Sequence, residues 1–218
     1  MQGELEMTEK ERIQRVIQIL EATYPGAPAT YLNYRNAFEM LIATILSAHT
    51  ADACVNTITP GLFKRFPDPE SMMMADINDL IELIRPCGTY NRKAAYLRDT
   101  AAKLMDRFSG EVPRTLDELV ELSGVSRKTA NVVLSVVFGI NEGVVVDTHV
   151  MRVTQKLGLT KEMKNRNKAE RDLMNLLPKE QWYDYARLVG AHGRRTCIAR
   201  RPKCPDCTLN HLCPSAEL

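Results

Sequence analysis

The hydrophobic positions of this chain recur almost everywhere at helical spacing. Ile13, Val16, Ile17 and Leu20 predict an opening amphipathic helix that stops before Tyr24-Pro25-Gly26. A Pro-, Ala- and Thr-rich linker runs to about Thr30. Phe38, Leu41, Ile42, Ile45 and Leu46 make the next helix, apolar enough to be central. It ends at Ser47-Ala48-His49-Thr50-Ala51-Asp52, where another begins. Ile77, Leu80, Ile81 and Ile84 follow and stop at Pro86-Cys87-Gly88, and Ala94, Leu97, Ala101, Leu104 and Phe108 keep the same period. Further helices are expected near residues 149–157, 167–177 and 180–191. Val144–Val146 is too short a run to require a sheet.

Between these lies the stretch that carries the most information. Leu116, Leu119, Val120 and Leu122 form a short apolar face, broken by Ser123-Gly124, where glycine is free to take positive φ. Ser126 is placed to cap a second helix whose inner face is Ala130, Val133, Leu134 and Val137. So tight a turn aims unpaired backbone N–H groups outward, where a phosphate can accept from them. Downstream, Asp147 follows three valines and precedes a helix, so it reads as an N-cap, as a functional carboxylate, or as both.

Composition narrows the class. At 218 residues and 44% apolar the chain can bury a sizeable core, as one domain or two small ones. No run approaches a membrane-spanning length, and the stretch from Met1 to Arg12 is acidic and polar, unlike a signal peptide. An intracellular protein without a membrane partner is the expectation. The net charge of +2 says little, but its distribution says more. Arg187, Arg194, Arg195, Arg200, Arg201 and Lys203 face the single acid Asp206 in one C-terminal stretch, which suits an anionic partner.

That stretch also holds Cys197, Cys204, Cys207 and Cys213, spaced C-x6-C-x2-C-x5-C among Pro202, Pro205 and Pro214. Disulfides do not suit a chain without a secretion signal. Four thiolates on one loop suit tetrahedral zinc or a [4Fe–4S] cluster, and the donor chemistry alone does not choose. Cys54 and Cys87 lie among helical residues and read as buried small side chains.

Four segments together resemble the endonuclease III family of DNA glycosylases. They are Leu122-Ser123-Gly124-Val125-Ser126-Arg127-Lys128-Thr129-Ala130-Asn131, Leu46-Ser47-Ala48-His49-Thr50-Ala51-Asp52, Gly88-Thr89-Tyr90-Asn91-Arg92-Lys93-Ala94 and the cysteine set. The first is similar to that family's helix-hairpin-helix, which usually reads Leu-Pro-Gly-Val-Gly, so Ser123 and Ser126 are departures. The second is similar to the family's Leu-Ser-Ala-Gln-x-x-Asp, with His49 where Gln fills the gap left by a flipped base.

The resemblance implies an all-α fold of two helical domains flanking a DNA-binding cleft. One would be a six-helix domain over residues 31–140, the other 1–30 plus 141–218 with a [4Fe–4S] cluster on its four cysteines. It implies a bifunctional glycosylase and abasic-site lyase that removes damaged bases, oxidised pyrimidines above all, from duplex DNA. The nucleophile would be Lys128, in a first helical turn where the dipole and Arg127 disfavour a protonated amine. Asp147 would stabilise the cationic sugar. Gly124, Val125, Ser126, Arg127 and Thr129 of the hairpin, His49, and Arg200, Arg201 and Lys203 of the cysteine loop would bind DNA. A monomer working on the chromosome in the cytoplasm, at the nucleoid in a prokaryote, is expected. Two other readings stand beside it. One is a monofunctional glycosylase such as the adenine-mismatch branch, which normally lacks Lys at this position and carries a further C-terminal domain. The other is a non-catalytic hairpin module with a zinc knot, which would leave Lys128 and Asp147 without a shared purpose.

Overall fold

A computed structural model describes residues 7–217. Among them are eleven α-helices, two single-turn 3-10 helices and no β-strand, so the fold is all-α. The chain divides into two compact units, one spanning Thr30–Glu142 and the other made of the chain up to Ala29 and from Gly143 onward. No described helix is long and apolar enough to cross a membrane.

Helix α1 (Glu9–Thr23) opens the chain, and its start is closed by a capping box in which Thr8 and Glu11 satisfy each other's backbone N–H groups. The Thr30–Glu142 unit follows with α2 (Ala37–Ser47), α3 (Asp52–Arg65), α4 (Pro69–Met73), α5 (Ile77–Ile84), α6 (Tyr90–Phe108), α7 (Leu116–Val120) and α8 (Arg127–Phe138). That is one helix more than the six expected, the addition being the five-residue α4. Helix α2 is buried on every side from Phe38 to Leu46, with Glu39 and Thr44 the two polar residues in the stretch. Its Leu and Ile side chains each contribute about 1.5–3 kcal/mol by leaving water. They meet Val55 and Leu62 of α3, Leu80 and Ile84 of α5, Leu97 and Leu104 of α6, and Val133 and Leu134 of α8 in one core.

The other unit has its own core. Ile13, Val16, Ile17 and Leu20 of α1 pack with Val150 and Val153 of α9 (Thr148–Lys156), Ala169 and Leu173 of α10 (Arg166–Leu176), and Leu188 and Val189 of α11 (Trp182–Arg195). Tyr185 and Thr154 share a hydrogen bond of 2.8 Å inside it, and burial pushes the Tyr185 phenol up. Helix α11 runs four residues past the expected 191. Gly190 and Gly193 argue against helix in a sequence, yet Gly193 marks where α9 comes closest. A Cβ there would lie 2.8 Å from the Cβ of His149. Close packing, not flexibility, explains that glycine.

Candidate functional site

The hairpin between α7 and α8 is built as its pattern predicts. Leu122 and Val125 are buried and pin the turn, while Gly124 stands between them at φ +77°. Tyr96 of α6 lies directly beneath, since a Cβ on Gly124 would come within 2.6 Å of its ring. Glycine is therefore required twice, for its φ and for the approach. Ser126 caps α8, its Oγ accepting from the Thr129 N–H at 3.2 Å. Ser123 has work of its own: its hydroxyl donates to Asp99, its carbonyl accepts from Thr100 Oγ1 at 2.8 Å, and Lys103 Nζ reaches its Oγ at 3.1 Å. Gly124, Ser126 and Lys128 are exposed, with Arg127 and Thr129 partly so. Arg127 also donates to the Glu142 carbonyl at 3.0 Å. Lys128 thus stands in the first turn of α8, accessible beside a turn that suits a phosphate.

In the same unit, the loop after α2 presents His49. The Thr50 N–H reaches back to the Ser47 carbonyl at 3.1 Å, and Ala48 has φ −57° and ψ 113°. That is a type II turn with His49 at its third position, at φ 56°. Gly or Asn is usual there, and a residue of another kind costs on the order of 1–2 kcal/mol. His49 is exposed. Beneath the turn, Lys93 of α6 is only 3% exposed, and its Nζ donates to the Leu46 carbonyl at 2.8 Å and to Thr50 Oγ1 at 2.7 Å. Burial pushes this ammonium down, opposed by the neighbouring thiols of Cys87 and Cys54. Cys87 is buried and its thiol is pushed up, while Cys54 is half-buried.

The other unit holds Asp147 at the N-cap of α9. Its Oδ1 accepts from the backbone N–H of His149 at 2.8 Å and of Val150 at 2.7 Å. Its Oδ2 lies 3.4 Å from Nη2 of Arg194 on α11. The carboxylate is therefore oriented by two backbone donors and one guanidinium. His149 beside it is pushed down, mainly by burial, against an upward pull from Asp147. Arg152 Nη2 donates to the carbonyls of Gly193 and Cys197, each at 2.8 Å, and so ties α9 to the start of the cysteine loop.

Cys197, Cys204, Cys207 and Cys213 all line one cavity, with Val153, Leu157, His192 and Leu209 among its other walls. None is in a disulfide. Burial pushes the Cys197 and Cys207 thiols up, so a metal would have to draw their protons off. Among the described residues no three His, Cys, Asp or Glu side chains converge where one metal ion could sit. The loop returns on itself through Lys203 N–H to the Thr196 carbonyl at 3.0 Å, leaving Arg200, Arg201 and Lys203 exposed.

Comparison with known proteins fits this arrangement. Residues 42–179 match the model of the HhH-GPD superfamily base excision DNA repair proteins. The Endonuclease III of Synechocystis is 45% identical over 210 residues, covering 96% of this chain and 95% of that protein. The Bacillus subtilis Endonuclease III is 40% identical over 187 residues, 85% of this chain and 84% of its own. The chain belongs to the endonuclease III family. In three dimensions it is similar to an endonuclease III trapped as a covalent intermediate with DNA, with a TM-score of 0.91 and 40% identity. That match covers 96% of this chain and 98% of the other. A thermostable thymine-DNA glycosylase at 20% identity shares the fold, with a TM-score of 0.82.

In this member of the endonuclease III family the two chemical candidates belong to different units, Lys128 to Thr30–Glu142 and Asp147 to the other. Within each unit the structure brings together what spacing could only suggest: four cysteines on one cavity, and His49 above the Gly88 turn, where a Cβ would meet the His49 carbonyl at 3.7 Å. Two residues gain roles that the sequence did not assign. Arg194 is one of six basic residues until the fold sets it against Asp147. Lys93 is part of a quoted motif, and its signal was there: it precedes Leu97, Ala101 and Leu104 on the buried face of α6.

Proposed function

We propose that this chain is a bifunctional enzyme of base excision repair that excises oxidised pyrimidines from duplex DNA through Lys128 and Asp147. The observation that carries the reading is an accessible lysine in the first turn after the DNA-gripping hairpin, in a chain so similar to an endonuclease III caught covalently on DNA. The damaged base is turned out of the stack into a pocket. The neutral Nζ of Lys128 attacks C1′ of the sugar, and the C1′–N bond breaks with its electron pair leaving on the base. The Asp147 carboxylate, held by two backbone N–H groups and Arg194, stabilises the positive charge that grows on the sugar. A proton moves from Nζ to the departing base, the sugar ring opens, and the product is a Schiff base. That iminium accepts electrons as a C2′ proton is lost and the C3′–O bond breaks, which releases the 3′ phosphate.

The cysteine set fits a [4Fe–4S] cluster. Four thiols on one loop line one cavity, and a [4Fe–4S] cluster takes four thiolate ligands. Cys197, Cys204, Cys207 and Cys213 would hold it, and its chemistry there would be to cross-link the loop that carries Arg200, Arg201 and Lys203. Those three, with the hairpin residues Gly124, Val125, Ser126, Arg127 and Thr129, bind the phosphate backbone, and His49 fills the space left by the flipped base. Borohydride trapping tests the reaction. The parent chain should form a covalent adduct on duplexes with an oxidised pyrimidine, and Lys128→Gln should bind the same duplex without forming one. Base release by the parent with no trapped adduct would mean a monofunctional enzyme, and an adduct with Lys128→Gln would place the nucleophile elsewhere.

A further inference from the structure

The turn that carries His49 is held by a group from another helix. Leu46 lies in the last turn of α2, where carbonyls have no partner inside the helix and the dipole leaves negative charge. The buried Lys93 ammonium donates to that carbonyl and also to Thr50 Oγ1. Leu46 and Thr50 bracket Ser47, Ala48 and His49, so one side chain fixes both ends of the turn. The thiols of Cys87 and Cys54 are the neighbouring groups that favour its charge. A desolvated cation placed against thiols is a costly way to fill a core position. What it gains is control of a short loop whose exposed tip is at positive φ.

We propose that Lys93 is a positioning residue, a buried clamp that holds the Ser47–Thr50 turn so that His49 enters the duplex already in its inserting conformation. This rests on the reading of His49 as the filler of the gap beside the orphaned partner base. A free loop of this length samples many conformations, and ordering it on DNA would draw on binding energy at each encounter. With the clamp the ordering is done in the fold. Lys93 touches neither sugar nor base in this scheme and acts only through His49.

The test compares Lys93→Met, His49→Ala and the double variant on two substrates. One is a duplex with an oxidised pyrimidine opposite 2-aminopurine. The other is a single-stranded abasic oligonucleotide, which has no partner base to displace. Lys93→Met keeps the stem and removes the donors. It should slow duplex excision by about tenfold, the scale of losing a hydrogen bond to a charged group. It should also blunt the 2-aminopurine signal on insertion and leave single-strand lyase action within about twofold of the parent, a margin of roughly half a kilocalorie. In the His49→Ala background it should add little, since its effect runs through His49. Equal losses on both substrates, or additive losses in the double variant, would overturn the clamp. If His49→Ala alone leaves duplex excision intact, the gap-filling reading fails and takes the clamp with it. Should Lys93→Met not fold, Thr50→Val removes one acceptor and leaves Lys93 in place. It should slow duplex excision in the same selective way, and unchanged excision would overturn the proposal.

Discussion

Replacing Asp147 by Asn separates two jobs that a single carboxylate does. Asn keeps an oxygen where Oδ1 now accepts from His149 and Val150, and Asn caps a helix about as well as Asp. What it loses is charge, and with it the pairing to Arg194 across 3.4 Å. With side-chain exposures of 21% for Asp147 and 30% for Arg194, that pair is worth at most about 1 kcal/mol. Asp147→Ala loses the cap as well, a further ~1 kcal/mol. At about 2–4 °C per kcal/mol for a chain of this size, Asn should lower Tm by about 2–4 °C and Ala by about 4–8 °C. Excision should behave differently. Both variants lack the charge that meets a cationic sugar, so both should fall on the order of 10²–10³-fold in single-turnover base release, with damaged-duplex binding nearly unchanged. A second readout sits next door: Asp147 pulls His149 up, so in Asp147→Asn His149 should titrate at lower pH by NMR. If Asp147→Asn releases base within a few-fold of the parent, or if activity merely follows the loss of Tm across the two variants, Asp147 is a cap and nothing more.

Gly124→Ala should weaken binding to damaged and undamaged duplex alike, measured by anisotropy, and lower stability. Positive φ costs about 1–2 kcal/mol for a side chain, and the Tyr96 ring would have to move. An unchanged Tm would refute the tight seat described for the turn. Cys204→Ser should abolish bound iron and the brown colour and expose the C-terminal segment to proteolysis; iron content equal to the parent would reject the cluster assignment. Arg200→Ala with Lys203→Ala should reduce the slope of log affinity against log salt by about 1.8, one phosphate contact each, on any duplex. A loss confined to one lesion would mean that these residues read a base.

Much of this molecule is legible in its sequence. The inner face of α8, the glycine of the hairpin, the caps at Ser126 and Asp147 and the central rank of α2 all follow from interactions between residues at most a turn or two apart. Such interactions are written into local spacing, because the helical period and the orphaned N–H groups at a helix start are properties of the segment itself. The cysteine spacing belongs to the same class, since a short loop bounds where four thiols can go.

Tertiary structure decided the rest. Ser123 is a departure from the usual hairpin pattern, and its purpose shows only when the fold sets Asp99, Thr100 and Lys103 of α6 around it. Arg194 looked like one basic residue among six until it met a carboxylate 47 positions away. Lys93 had a place on a buried face but no partner, because its two acceptors belong to a different helix end and the turn beyond it. The physical reason is common to all three. A charged or polar side chain does not announce its partner through periodicity. Which donor reaches which acceptor is set by packing angles and burial, and those exist only once the helices have come together.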